Sequence, residues 1–179
     1  MKNIALFLDR DGVINIDKNY VHKIEDVEFI DGISDLIIKA KNLGYLVIVI
    51  TNQSGIGRGI FTEEDFQKIN LWILNELEKN GAVIDRVYYC PTHPTEGIGK
   101  YKKIDNRRKP NSGMFFEAAK DYNIDLEKSI MLGDKITDMD AGFSSGIKNL
   151  FLLSEKIKYK GSRNVRCLKE VIGFLNQSN

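Results

Sequence analysis

Two aspartates near the amino terminus are the residues best suited to chemistry. Asp9 and Asp11 lie two positions apart in the segment FLDRDGVIN, directly after the apolar run 4–8. Aspartate is a poor strand residue, and neighbouring carboxylates repel each other. Two interpretations are therefore open. The segment is either a strand-to-loop turn in which Asp and Gly serve the backbone, or a carboxylate pair that binds a cation at the end of a strand.

Further polar groups follow other apolar runs, and they favour the second interpretation. Residues 51–55 read TNQSG, residues 108–110 read RKP, and residues 133–135 read GDK, with Asp138 close behind. In open α/β sheets, ligands bind beyond the carboxyl ends of the strands. Acid, hydroxyl, base and acid thus converge on one sheet edge, which a set of unrelated turns would not explain.

The elements that must position these groups alternate along the chain. Short, nearly continuous apolar runs predict strands at Ile4–Leu8, Tyr45–Ile50, Val87–Cys90, Ile130–Leu132 and Leu150–Leu153. Helical patterns and cap signals predict helices at Asp31–Leu43, Thr62–Lys79, Ser112–Tyr122, Asp138–Ser145 and Leu168–Asn176. This alternation predicts an α/β fold: a three-layer, Rossmann-like parallel sheet with helices on both faces.

Length and charge set the broad class. The chain has 179 residues, 26 Lys and Arg against 25 Asp and Glu, and a formal net charge of +1. No global field attracts nucleic acid or a membrane surface. No apolar run approaches membrane-spanning length, and two cysteines form no disulfide framework. We expect one domain over residues 1–179 in a cytoplasmic monomer, with no nucleic-acid or membrane partner.

The predicted sheet edge suits phosphoryl transfer. The carboxylates of Asp9, Asp11 and Asp134 would repel each other unless a hard cation such as Mg²⁺ joined them. Thr51, Lys109 and backbone N–H groups of the 51–55 turn are typical phosphate ligands. One carboxylate could then attack phosphorus to form an aspartyl-phosphate, while the second protonates the leaving oxygen and later activates water.

The order of these blocks resembles a known family. FLDRDGVIN, VITNQSGIGRG, YYCP, RRKPNSGM and MLGDKITDMDAG are similar to motifs of haloacid dehalogenase (HAD) superfamily phosphatases, and they span nearly the whole chain. The resemblance is closest to the branch that holds heptose bisphosphate phosphatases and histidinol-phosphatases. It implies a HAD-like fold. The spacings from Asp11 to Thr51 and from Thr51 to Lys109 leave no room for a cap domain.

The resemblance also implies catalytic and metal roles. Asp9 would be the nucleophile and a Mg²⁺ ligand, and Asp11 the general acid and base, with its backbone carbonyl on the metal. Thr51 and Lys109 would stabilise the phosphoryl group. Asp134 would be the third metal anchor, and Asp138 would support either that anchor or the lysine.

Substrate contacts are implied for Asp17, Tyr20, Asn52, Gln53, Ser54, Arg108 and Lys135. Arg108 would contact the sugar or its second phosphate. Each assignment has a plainer alternative. Lys135 and Arg58 could be solvated loop charges, Asn52 could only shape its turn, and Arg108 could belong to a nonspecific basic patch.

The implied reaction is the Mg²⁺-dependent hydrolysis of a sugar phosphate. D-glycero-D-manno-heptose 1,7-bisphosphate is the first candidate, with loss of its 7-phosphate during synthesis of heptose precursors of lipopolysaccharide or capsule. Histidinol phosphate is an alternative substrate. A non-catalytic module that binds phosphorylated ligands is the alternative of another class, although such a module would not need both Asp9 and Asp11.

Residues 91–110 depart from the family pattern. Relatives often carry a zinc loop here, with Cys-x-His after the third strand and Cys-x-Cys before Arg-Lys-Pro. In this sequence only Cys90 matches, because Thr92 stands at the histidine position and residues 105–107 read DNR. A structural zinc site needs four such ligands. We expect no zinc, and a mobile loop that becomes ordered when phosphate meets Arg108 and Lys109.

Overall fold

A computed structural model describes residues 2–177 and centres on a six-stranded parallel sheet of order β3-β2-β1-β4-β5-β6. The strands are β1 (Ile4–Leu8), β2 (Tyr45–Asn52), β3 (Arg86–Cys90), β4 (Ile130–Gly133), β5 (Asn149–Leu153) and β6 (Arg163–Val165). The α-helices are α1 (Ile33–Asn42), α2 (Ser54–Gly57), α3 (Glu63–Lys79), α4 (Gly113–Tyr122), α5 (Ile136–Ser144) and α6 (Leu168–Gln177).

Alternate residues of the strands build two separate cores, one on each face. Leu6 and Leu8 of β1 lie in a buried cluster with apolar residues of α1, α3 and α6. Phe7 points to the other face, where it lies with residues of α4 and α5 and meets the Phe115 ring at a centroid distance of 5.0 Å. Because both faces of β1 are buried, its sequence is apolar throughout. The predicted three-layer α/β architecture is confirmed.

Two short elements escaped the sequence prediction. β6 has three residues, RNV, which form no apolar run, and it pairs with β5 at the sheet edge. The four-residue helix α2 is too short to show a helical period. The start predicted at Asp138 was also wrong: α5 begins at Ile136, and Asp138 lies in its first turn.

The start of α3 is as predicted. Thr62 is its N-cap residue, and its Oγ1 accepts a hydrogen bond of 3.0 Å from the backbone N–H of Asp65. The Asp65 carboxylate in turn accepts a hydrogen bond of 2.9 Å from the backbone N–H of Thr62, which completes a capping box. This cap fixes the residue at which the loop after α2 ends and α3 begins, on one face of the sheet.

The segments on either side of Thr51 hold little beyond the sheet layers. Between Asp11 and Thr51 the described chain contains a one-turn 3-10 helix (Ile24–Asp26), α1 and most of β2. Between Thr51 and Lys109 it contains α2, α3, β3 and a second such turn (Gly99–Tyr101). Within residues 2–177, therefore, loops and not an inserted domain border the sheet edge. No helix of that part is long and apolar enough to cross a membrane.

Candidate active site

A cavity of about 350 Å³ lies at the carboxyl ends of the central strands. This volume is within the range of small-molecule sites. Its lining includes every predicted site residue except Asp134: Asp9, Asp11, Asp17, Tyr20, Thr51, Asn52, Gln53, Ser54, Arg108, Lys109 and Lys135. Asn19, Gly55, Thr137 and Asp138 complete the wall. The sequence predicted the position of this cavity because β1, β2 and β4 are parallel neighbours, so their carboxyl ends share one edge.

A buried ion pair network forms the floor of the cavity. The Lys109 ammonium lies 2.9 Å from Asp9 Oδ1 and 2.6 Å from Asp138 Oδ1, and it donates to the Ile50 carbonyl at 2.8 Å. The three side chains are 1–7% exposed. Charges this far from water persist only when they are paired. Lys109 therefore forms ion pairs with two carboxylates that lie far apart in the sequence.

Burial shifts the proton affinities of this network. It raises the pKa of Asp9 to about 7, against the opposing charge of Lys109, and the nearby Asp138 and Asp134 add to the rise. Burial disfavours the charged form of Lys109 as well, yet its pKa is raised overall because Asp138 and Asp9 stabilise the ammonium. Lys109 therefore stays charged, while Asp9 keeps its proton to a higher pH than an exposed aspartate does.

Asp134 brings a further carboxylate to the same place. Ligand oxygens of Asp9, Asp134 and Asp138 all lie within 4.8 Å of one another. Burial raises the pKa of Asp134 to about 6 despite the neighbouring Lys135 charge, and its Oδ1 is buried with no hydrogen-bond partner among residues 2–177. An unpartnered oxygen beside a second carboxylate fits a hard cation that prefers oxygen ligands.

Glycines leave room for these carboxylates. A Cβ at Gly12, where φ is +94°, would fall 2.2 Å from Asp134 Oδ2. A Cβ at Gly133 would fall 2.3 Å from the Cβ of Asp138. Both distances are impossible contacts, and the positive φ at Gly12 independently favours glycine. The backbone is thus shaped to bring strand ends and acidic side chains together.

The structure places the Asp11 carboxylate outside the predicted cluster, which is a correction to the sequence prediction. The sequence predicts that its carboxylate joins those of Asp9 and Asp134, but Asp138 occupies that place. The Asp11 carboxylate lies against Arg10, Asn15 and Gln53 instead. A backbone carbonyl of Asp11 on the metal stays a prediction.

The turn after β2 connects the phosphate-binding candidates. Asn52 donates to the Lys109 carbonyl at 2.9 Å and accepts from the Lys109 backbone N–H at 3.0 Å, so it fixes the backbone that carries the lysine. Gln53 donates to Thr51 Oγ1 at 3.0 Å. The side-chain amides of both residues thus bind protein groups, and their predicted substrate contacts stay predictions. Ser54 begins α2, where the leading N–H groups of a helix lack partners inside it.

Charged side chains from separate loops form the rim. Lys135 pairs with Asp17 at 2.8 Å, and Arg108 Nη1 donates to the Thr92 carbonyl at 3.0 Å. Arg58 lies outside the cavity lining, where its guanidinium is 5.7 Å from the centroid of the Tyr20 ring and pairs with Glu96. Lys135 and Arg58 are thus paired, which differs from the alternative of freely solvated charges.

Residues 91–110 are held by hydrogen bonds around Thr92 and Asp105. Thr92 Oγ1 lies 3.1 Å from the buried Cys90 Sγ and 3.3 Å from Asp105 Oδ2. Asp105 Oδ1 accepts from the Arg107 backbone N–H at 3.0 Å, and His93 Nδ1 accepts from the Glu96 backbone N–H at 3.1 Å. The predicted mobility of this segment stays a prediction.

Sequence reasoning missed two residues near the reaction centre. Thr137 lines the cavity one position before Asp138, and only its place in the 131–142 block could have indicated it. Arg10 is 1% exposed and binds Asp11. A charged residue between two strand-end aspartates was the available signal for Arg10, because a buried arginine needs a partner.

Comparisons with known proteins agree with this geometry. A family model described as HAD-hydrolase-like matches residues 106–163. The chain is 48% identical to a D-glycero-alpha-D-manno-heptose-1,7-bisphosphate 7-phosphatase of Burkholderia mallei, over 98% of this chain and 95% of that one. It is 46% identical to a D-glycero-beta-D-manno-heptose-1,7-bisphosphate 7-phosphatase of Haemophilus ducreyi, over 83% of this chain and 82% of the relative.

A solved structure extends the likeness to three dimensions. It is a D,D-heptose 1,7-bisphosphate phosphatase of B. bronchiseptica complexed with magnesium and phosphate, which matches with a TM-score of 0.85 and 28% identity over 100% of both chains. Fold and site thus define a phosphatase of the HAD superfamily. Within it, the chain belongs to the family of heptose 1,7-bisphosphate phosphatases.

Proposed function

We propose that the chain removes the 7-phosphate of a D-glycero-D-manno-heptose 1,7-bisphosphate through an aspartyl-phosphate on Asp9. The observation that carries this proposal is the Asp9–Lys109–Asp138 network at the end of β1, in a chain 48% identical to a phosphatase named for that substrate. A buried carboxylate beside a fixed ammonium, open to a cavity of small-molecule size, is suited to covalent phosphoryl transfer.

The first half-reaction transfers the phosphoryl group to Asp9. Within the described part of the chain, the two hydrogen-bond donors of this carboxylate, Lys109 Nζ and the Arg10 backbone N–H, both lie against Oδ1, so we assign the attack on phosphorus to Oδ2. As the new O–P bond forms, the bond from phosphorus to the sugar oxygen breaks. That oxygen keeps the electron pair and takes a proton from the Asp11 carboxyl group. Thr51 Oγ1 accepts from Gln53, which leaves its own proton to donate to a phosphoryl oxygen.

The second half-reaction regenerates Asp9. Water attacks phosphorus and gives a proton to Asp11, and the bond between phosphorus and Asp9 Oδ2 breaks with its electrons returning to the carboxylate. Inorganic phosphate leaves. Lys109 remains fixed between Asp9 and Asp138 throughout and offsets the charge of the transferring group.

The residues present fit a magnesium ion. Asp9, Asp134 and the Asp11 backbone carbonyl would hold it, and it would offset negative charge on the phosphoryl oxygens when bound. The unpartnered Asp134 Oδ1 supports this assignment. Asp134→Asn should therefore abolish the Mg²⁺-dependent rise in melting temperature. It should also raise the melting temperature of the metal-free protein, because it removes one of the clustered carboxylates.

The rim suits a substrate with a second anionic group. Arg108 reaches the cavity wall while one guanidinium nitrogen is anchored on the Thr92 carbonyl, and a planar fork can grip a second phosphate. The Burkholderia mallei relative is named for the alpha anomer of the heptose bisphosphate, and the Haemophilus ducreyi relative for the beta anomer.

A kinetic panel tests the proposal. It holds both anomers of the heptose 1,7-bisphosphate, a sugar monophosphate and histidinol phosphate, assayed with Mg²⁺. The heptose bisphosphate should have the highest kcat/KM and release one phosphate per molecule. A higher kcat/KM for histidinol phosphate would reassign the substrate. Binding of the bisphosphate without turnover of any compound would instead identify a non-catalytic module.

A further inference from the structure

The Asp11 carboxylate is held from several directions. Arg10 Nε lies 3.1 Å from both carboxylate oxygens of Asp11, and Arg10 Nη2 lies 2.8 Å from both. Asn15 Nδ2 donates to Oδ1 at 3.0 Å, and Gln53 Nε2 donates to Oδ2 at 2.9 Å. These donors come from the strand end, from the turn that follows it, and from the exit of β2. Together they leave the carboxylate little rotational freedom.

Arg10 is built into the protein and not into the cavity. It is 1% exposed and is absent from the residues that line the cavity. Its Nη2 also donates to the Val21 carbonyl at 2.9 Å, and its guanidinium lies 5.6 Å from the centroid of the Phe66 ring. The side chain is therefore fixed on α3 and on the 20–22 loop while its charged end meets Asp11.

Stability alone is a poor reason for a buried arginine at this position. Arg10 Nη1 is buried without a hydrogen-bond partner in the described chain. Burying a guanidinium is costly, and well-packed apolar side chains often replace buried ion pairs without loss of stability. What an apolar side chain could not supply is the two-nitrogen grip on a carboxylate.

Gln53 links the same carboxylate to the phosphate-binding side of the cavity. Its Nε2 donates both to Asp11 Oδ2 and to Thr51 Oγ1, at 2.9 and 3.0 Å, and the residue is 3% exposed. One amide thus sets the position of the acid and base relative to the hydroxyl that would hold the phosphoryl group. Arg10 fixes the other side of that arrangement.

We propose that Arg10 is a positioning residue that holds the Asp11 carboxylate for proton transfer, with Gln53 setting its distance from Thr51. The proposal deepens the phosphatase mechanism given above and rests on it. Arg10 would influence the reaction through Asp11, because it does not itself border the cavity where the substrate would bind. Misplacing a catalytic group by about 1 Å can cost about 10²-fold in rate.

A double-mutant cycle tests this coupling with the heptose bisphosphate as substrate. Arg10→Met should lower kcat by about 10²-fold in the wild-type background and by less than about threefold in the Asp11→Asn background. The KM should change little, because no substrate contact is lost. Arg10→Lys keeps the charge but not the two-nitrogen grip, so it should restore only part of the rate. Equal losses in both backgrounds would overturn the proposal.

The leaving group provides a second readout. Acetyl phosphate releases a stable anion that needs little protonation, whereas a sugar alkoxide needs a proton. Arg10→Met should therefore lose only a few-fold in kcat/KM on acetyl phosphate, because kcat/KM reports phosphoryl transfer to Asp9 and not the later hydrolysis, which needs Asp11 for both substrates. A uniform loss of kcat/KM on both substrates, or a rise in KM with kcat unchanged, would show a merely structural role.

Two controls separate the possible failures. Arg166→Met removes an exposed arginine that pairs with Glu170, and it should leave every kinetic constant unchanged. Wild-type protein that hydrolyses neither substrate would contradict the phosphatase proposal itself. Active wild-type protein with additive Arg10 and Asp11 effects would contradict only the role of Arg10. Circular dichroism and thermal melting of Arg10→Met, compared with Arg10→Lys, show whether unfolding explains a loss.

Discussion

The floor of the cavity and residues 91–107 are both polar, but they are held together in different ways. At the floor, Lys109 is 2% exposed and is shared between Asp9 and Asp138, so one ammonium faces two carboxylates out of water. In residues 91–107, the neutral Thr92 hydroxyl lies between the Cys90 thiol and the Asp105 carboxylate, which also accepts from the Arg107 backbone N–H. The flanking ion pair Lys103–Asp105 is long, at 3.8 Å, and its lysine is 58% exposed.

This difference predicts how each region tolerates change. Removing one member of a buried ion pair leaves an uncompensated charge and costs about 3–5 kcal/mol. Exposed pairs contribute about 0–1 kcal/mol each because water screens them. The cavity floor should therefore lose much stability when its ammonium, Lys109, is removed, while residues 91–107 should lose their contacts gradually.

The largest effect on activity is expected at Asp9. Asp9→Asn keeps the side-chain shape and the Oδ1 acceptor but removes the nucleophile, so kcat should fall by about 10³-fold or more with the fold retained. Steady-state kinetics and circular dichroism measure both properties. Asp85→Asn is the matched control, since Asp85 is a partly buried carboxylate that binds Lys41 and the Val47 N–H away from the cavity. Near-normal turnover in Asp9→Asn would contradict covalent catalysis.

Lys109→Met should have the largest effect on stability. It leaves two buried carboxylates facing each other and should lower the free energy of unfolding by about 3–5 kcal/mol. The loss should be greater at pH 9 than at pH 5. In the wild-type protein the pKa of Asp9 lies near 7, above its unfolded value, so rising pH ionises this buried group and lowers stability. The Lys109→Met variant has no ammonium to offset the ionised carboxylate, so its stability should fall further.

Urea denaturation at the two pH values measures the Lys109 effect. The double variant Lys109→Met/Asp138→Asn should recover part of the stability, because it removes one of the two facing charges. Lys68→Met removes an exposed lysine that pairs with Glu64, and it should leave the midpoint unchanged. Equal shifts for Lys109→Met and Lys68→Met would mean that the cavity floor is no more sensitive than the surface.

An intermediate effect is expected at Arg108, which borders both regions. If it grips the second phosphate, Arg108→Ala should lower kcat/KM about tenfold or more for a sugar bisphosphate and much less for a monophosphate. Arg107→Ala, next in the sequence, is the control, because Arg107 pairs with Glu117 instead of facing the cavity. Equal losses on the two substrates would exclude Arg108 from substrate specificity.

The smallest effects are expected in residues 91–107. Protein purified without added zinc should contain no stoichiometric zinc, and activity lost to a strong chelator should return with Mg²⁺ alone. Asp105→Ala should lower the melting temperature by less than Lys109→Met does, since it removes only the two hydrogen bonds that the Asp105 carboxylate accepts, from Thr92 at 3.3 Å and from the Arg107 N–H at 3.0 Å. Metal analysis by mass spectrometry and thermal melting provide the measurements. Stoichiometric zinc at Cys90 and His93 would refute this interpretation.

The positions of the catalytic candidates could be predicted from the sequence because they depend on local patterns. The apolar run 4–8 identifies a buried strand, so Asp9 must follow its end. The run in β2 places Thr51 in the same way, and the run in β4 places Asp134. Parallel alternation then brings these ends to one edge. β6 could not be predicted, because a three-residue strand at the sheet edge depends on its neighbour β5 for its existence.

The sequence by itself thus determined the fold class, the edge that carries the chemistry and most of the residues that line the cavity. Only the tertiary structure decided how those residues pair. Lys109 is shared by Asp9 and Asp138, and Asp11 turns to Arg10 and Gln53 instead of joining the carboxylates. The physical reason is the range of the interactions: apolar periodicity depends on residues that are close together along the chain. The partner of a buried charge is set by distance and by exclusion of water in the folded protein.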